Sequence, residues 1–150
     1  MAQQEHLYLL KRGVPYWNQW RQEHPEVVLD LSKAALSGLD LVGINLSKTN
    51  LSLANFSTTN LRLANLREAN LTLANLSTTD MRMANLRAAN LQAANLREAD
   101  LREADLTGAN LKAADLSSAD IRRAVLDGTI FDMTILDRTK RRGGLWNLFS

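Results

Sequence analysis

The sequence predicts an all-β solenoid: a right-handed quadrilateral β-helix of about 5.5 coils, with four five-residue units per 20-residue coil and a short N-terminal α-helical cap. Three observations predict it. From 31 to 136 every position ending in 1 or 6 is Leu, Phe, Met or Ile, 22 in succession. Two residues earlier, positions 34 to 134 hold 14 Ala, 5 Thr, Leu39 and Ile44. Between them, 18 of the 19 positions ending in 0 or 5 from 30 to 120 are Asn or Asp, Ala35 being the exception.

A period of five suits neither ordinary element. On an α-helix a step of five advances about 140° beyond a full turn, which scatters the leucines around the circumference. On a flat strand an odd step flips the side chain to the other face. The pattern buries its leucines together only if the chain turns a corner once per unit. The small residue and the leucine, two apart on an extended segment, then both point inward. The Asn or Asp between them points outward, where its side chain can bond the backbone at the bends.

Glycines place the corner. Gly38, Gly43, Gly108 and Gly128 all sit two residues after the leucine-type position. A type II turn needs φ > 0 at its third residue, which Gly supplies at least cost. The number of sides comes from the outward residues. Residues 56–75 and 76–95 share 13 of 20 identities, and arginine recurs at 62, 82, 102 and 122. Outward positions have no core reason to match, so four units make one coil. Coils stacked at ~4.8 Å give a rod roughly 26 Å long.

In order along the chain, 1–28 is expected to be a helical cap, 29–139 the β-helix and 140–150 a basic and apolar tail, all in one structural domain. Residues 3–12 have helical composition, with Leu7, Leu9 and Leu10 on an apolar side and Gly13 ending the element. A second short helix is expected from about Pro15 to Glu23, ahead of Pro25. Trp17 and Trp20 fall on one face of it, a hydrophobic lid for the first coil, whose open end would otherwise expose an edge. Towards the other end the Asn/Asp position becomes Val125, Ile130 and Ile135, which places apolar groups outside. The tail carries Leu145, Trp146, Leu148 and Phe149. Either it folds back over those groups or a second subunit covers them.

Residues 30 to about 137 follow the motif A(D/N)LXX unit by unit, and the sequence resembles the pentapeptide-repeat family. The resemblance independently implies the square, right-handed β-helix. The stretch "WNQWR", Trp17 to Arg21, ahead of "LDLSKAAL", is similar to the lead-in of cyanobacterial members. The family also implies two readings to weigh: homodimers through the C-terminal coils, and DNA mimics that bind type II topoisomerases such as gyrase.

Charge and composition bound the rest. The net +2 is zero over residues 1–29, −1 over 30–139 (12 basic against 13 acidic) and +3 from Lys140, Arg141 and Arg142. A near-neutral rod fits poorly with a mimic of DNA, which carries one charge per ~1.7 Å. No cysteine is present, and the opening MAQQEHLYLLKRG lacks the apolar stretch of a secretory signal, so a cytoplasmic location is expected. His6 and His24 both fall in the cap, no metal-ligand spacing occurs, and the unbroken register leaves no inserted loop for catalytic groups. An enzyme is not expected, nor a cofactor.

What remains is surface. With a 20-residue coil, Arg62, Arg82, Arg102 and Arg122 form one outer column, with Asp80, Asp100 and Asp120 two residues back on the same face. The bland reading is a screened charge ladder; the sharper one is a partner surface. Leu53 and Leu73 share another outer column, and Leu63 and Met83 share the column across the rod. The leading expectation is a non-enzymatic protein-interaction, scaffold or regulatory module for an unidentified protein partner. Weak nucleic-acid binding through the arginine column and basic tail is less favoured, and a membrane partner least.

Overall fold

The computed structural model describes residues 4–141. They form a right-handed quadrilateral β-helix behind two short helices, α1 (Gln4–Lys11) and α2 (Val14–Glu23). The coil length is fixed by the pairing. Nineteen parallel pairings run from Asp30↔Asn50 to Asp120↔Lys140, every one with an offset of 20 residues. The ladder thus extends one residue beyond the expected boundary at 139, because Lys140 still exchanges bonds with Ala119 and Ile121.

One unit shows why five residues suffice. The Asn70 N–H donates to Thr49 O in the coil before, and the Leu71 and Leu73 N–H groups donate to Asn90 O and Gln92 O in the coil after. The Ala74 N–H closes the turn on Leu71 O at 3.0 Å. The fifth, Thr72 N–H, donates to the Asn70 side-chain Oδ1 at 3.1 Å. All five backbone donors are therefore satisfied, and the outward Asn or Asp is the residue that satisfies the last one. Asparagines also bridge coils, as where Asn75 Nδ2 donates to Asn55 Oδ1 at 3.2 Å.

The corners lie where the glycines indicated. All 22 corner residues have positive φ: 67–71° at the four glycines and 53–61° at eighteen other residues. The residue before each is not left-handed, so the turn has the type II pattern. Inside, the leucine-type and alanine positions are almost wholly buried from Leu31 to Ile121. At Thr59, Thr79, Thr129, Thr134 and Thr139 the hydroxyl reaches a carbonyl one coil below, as from Thr59 to Leu36 O at 2.8 Å, whereas Thr49 turns to Ser47 O of its own unit. At the last coil Leu126, Phe131 and Leu136 are only partly buried.

The cap closes the first coil with more than a lid. Leu9, Leu10 and Trp17 are buried against it, whereas Trp20 is only partly buried and stacks on His24 with ring centroids 4.7 Å apart. The two tryptophan rings remain in contact, their centroids 6.3 Å apart, on the side of α2 that packs against the core. Arg12 lies over the Tyr16 ring at 3.6 Å and ties α1 to α2.

Candidate functional site

The outward columns carry what the fold does not use. Three carboxylates, Asp80, Asp100 and Asp120, stack one per coil and would repel one another. An arginine two residues on answers each. Arg82 Nη2 lies 2.7 Å from Asp80, Arg102 Nη2 2.7 Å from Asp100 and Arg122 Nη2 2.6 Å from Asp120. Each pair also has an Nε bond, which makes it bidentate. Arg82 and Arg102 reach on to the carboxylate of the next coil at 3.7 and 3.8 Å. The column is a zipper of alternating charge.

The zipper shifts its members. Arg122 holds the Asp120 carboxyl below the usual range, against partial burial that pushes it up. At Asp80 burial is the largest single influence and raises it, but the side-chain and backbone bonds of Arg82 together bring it below. Arg82, Arg102 and Arg122 are raised by the same bonds. Arg62 stands apart. Its neighbour is Asn60, which accepts only its backbone N–H, and its guanidinium has no ion pair among the described residues.

The apolar columns are open. Leu53 and Leu73 are 48% and 54% exposed, and Leu63 and Met83 are 50% and 53% exposed. All four are corner residues with φ of 58–61°. A long side chain there carries left-handed strain and gains little burial, so neither backbone nor core accounts for it. Arg62, Arg82, Met83, Arg102 and Glu103 line a shallow groove of about 150 Å³ beside the Leu63–Met83 column. At the far end Val125, Ile130 and Ile135 are exposed as expected, while Leu145 and Trp146 lie outside the described residues.

The pentapeptide-repeats family profile matches in eight copies, over residues 30–67, 45–82, 84–123, 94–132 and 104–140. The chain belongs to the pentapeptide-repeat family. Among solved structures, a pentapeptide repeat protein from the Arabidopsis thaliana thylakoid lumen is 29% identical, with a TM-score of 0.63 over 65% of this chain and 68% of that one. HetL, a pentapeptide repeat protein involved in heterocyst differentiation regulation in the cyanobacterium Nostoc, is 30% identical over 74% of this chain and 63% of that one, with a TM-score of 0.35. A second Nostoc pentapeptide repeat protein is 31% identical, with a TM-score of 0.37 over 69% and 84% of the two chains. No match is found among curated protein sequences.

In this pentapeptide-repeat rod Arg62, Arg82, Arg102 and Arg122 follow one another at the 20-residue offset of the parallel pairings. Among the described residues no group of His, Asp and Glu is placed to hold a metal ion, and no helix is long and apolar enough to cross a membrane. The polar contacts that the sequence does not disclose are in the cap. Asn18 donates to Gly43 O at 3.0 Å and accepts the Asn45 N–H at 2.8 Å. Trp17 Nε1 donates to Asn45 O at 2.7 Å and Arg21 Nη2 to Ser47 O at 2.9 Å. The buried His6 Nδ1 lies 3.2 Å from the Asp30 backbone nitrogen and 3.3 Å from the Asp30 carbonyl oxygen. Burial lowers Arg21, whose Nε has no hydrogen-bond partner among the described residues. Together these side chains replace peptide groups of a coil that is not there.

Proposed function

We propose that this pentapeptide-repeat protein is a non-enzymatic interaction module, a rigid rod that presents the Leu63–Met83 corner to a protein partner. One observation carries the reading: four large apolar side chains stand half exposed at left-handed corners, where strain is highest and burial least. The same corners elsewhere hold Gly, Ala, Ser or Thr, or the charged Lys, Glu and Arg, with Met133 a further apolar one, so the backbone has no need of leucine there. Of the two columns, Leu63–Met83 is favoured because it adjoins the groove and the unpaired Arg62. An apolar pair rimmed by cations is the composition of a small contact centre.

The arginine column contributes by positioning. Arg82, Arg102 and Arg122 are each neutralised by a bidentate carboxylate, which argues against the column as a track for nucleic-acid phosphates. The rod's balance of −1 argues against a mimic of DNA.

Affinity purification from the native host tests the module. Leu63→Asn with Met83→Asn leaves residues that tolerate the left-handed conformation, so the rod stays folded. The wild type is expected to retain a discrete partner that the double variant loses. Equal capture by both would reject the corner as the contact.

A further inference from the structure

The cap replaces a coil on two sides of the square and leaves the other two open. It serves Asp30, Gly43, Asn45 and Ser47. At Ala35, Ser37, Asp40 and Val42 four backbone N–H groups and four carbonyls have no partner among the described residues. In the next four coils the equivalent groups are bonded to the neighbouring coil or to the local Asn or Asp side chain. Ala35 is the one break in the Asn/Asp register between residues 30 and 120, and it removes the side chain that would otherwise accept the Ser37 N–H. The open run also exposes Leu39 at 38% and Val42 at 37%.

The charges around this run are unusual. Ten of the twelve basic side chains between residues 30 and 139 each have a carboxylate at 2.6–3.9 Å. The two that have none among the described residues are Lys33 and Arg62. Lys33 holds the corner just before Ala35, and Arg62 stacks directly over Val42, since the Gly43 N–H donates to Arg62 O at 2.8 Å. The free edge is therefore bracketed by the rod's two uncommitted cations.

We propose that the edge from Ala35 to Val42 docks an acidic β-segment of a partner protein, added as a further partial coil. Peptide groups would supply the pairing, as in strand addition to any open sheet edge. The segment must turn where the edge turns, at Gly38 with its φ of 71°. It therefore carries Gly or Asn at its own corner, apolar residues inward, and carboxylates at its ends against Lys33 and Arg62. A neutral residue belongs opposite Asp40. This rests on the interaction-module reading but uses a different surface from the Leu63–Met83 corner.

The probe is a dye-labelled synthetic peptide, Asp-Ala-Asn-Leu-Ser-Gly-Ala-Asn-Leu-Asp, titrated with the full chain and followed by fluorescence anisotropy. Saturable binding is expected. It should weaken about tenfold in Ala35→Pro, which deletes an edge N–H whose equivalent one coil on, that of Asn55, donates to the coil before it. It should weaken similarly in Lys33→Gln with Arg62→Gln, and for a peptide ending in lysines. Circular dichroism melting establishes that each variant is folded. No saturable binding up to ~1 mM overturns the proposal, as does equal binding by the lysine-ended peptide or by Ala35→Pro. Self-association of the wild type that Ala35→Pro abolishes, without peptide binding, also overturns it in favour of a second copy. The Leu63→Asn, Met83→Asn variant should bind the peptide normally, so the two surfaces fail or succeed separately.

Discussion

The Asn18 side-chain amide lies 2.8 Å from the Asn45 N–H and 3.0 Å from Gly43 O, so one side chain stands in for a peptide group of a missing coil. One coil on, the equivalent N–H finds a backbone partner, Asn65 donating to Ile44 O at 2.8 Å. Asn18→Ala leaves a part-buried donor unmet. Urea unfolding should show a loss of about 1–3 kcal/mol. Asn18→Asp keeps the acceptor and loses the donor, and is expected to fall between the two.

The corners separate backbone strain from crowding. A Cβ at Gly43 would meet nothing within 4 Å, yet its φ is 70°. Gly43→Ala should therefore cost about 1 kcal/mol through conformation alone. Ala88, already at φ 53°, gives the converse. Ala88→Asn should raise stability by about 0.5 kcal/mol, because Asn enters this region more readily. Thermal denaturation of the two variants beside the wild type checks both signs.

Acid should loosen the zipper. The Asp120 carboxyl is held below its ordinary range by Arg122, so its contribution is complete above the unfolded value near ~4 and is lost as pH falls through the lower folded value. Melting temperature should then drop on acidification below ~4. In Asp120→Asn the drop should be smaller, because one depressed carboxyl is gone. An unchanged acid limb would remove Asp120 from the account.

How much of this the sequence shows depends on whether a residue repeats. Leu61, Ala64 and Asn65 are legible because each obeys one register, and four glycines located corners that eighteen other residues also occupy. The pairing of Arg82 with Asp80 follows from two residues on one side of a strand. Arg62 beside Asn60 already breaks that pattern in the sequence. The cap is different. His6, Asn18 and Arg21 read as ordinary polar helix residues, and their meaning depends on which peptide groups the first coil leaves unmet. Only the Ala35 break in the Asn/Asp register hints at that, and it marks the uncovered side.

Contact of the Leu63–Met83 corner with a protein can be read by a photoreactive residue at position 63, with position 88 as control, since Ala88 is an exposed corner of the same backbone geometry. After irradiation in the native host, a discrete protein adduct is expected from 63 and not from 88. No adduct at 63, or the same adducts at both, would contradict the account.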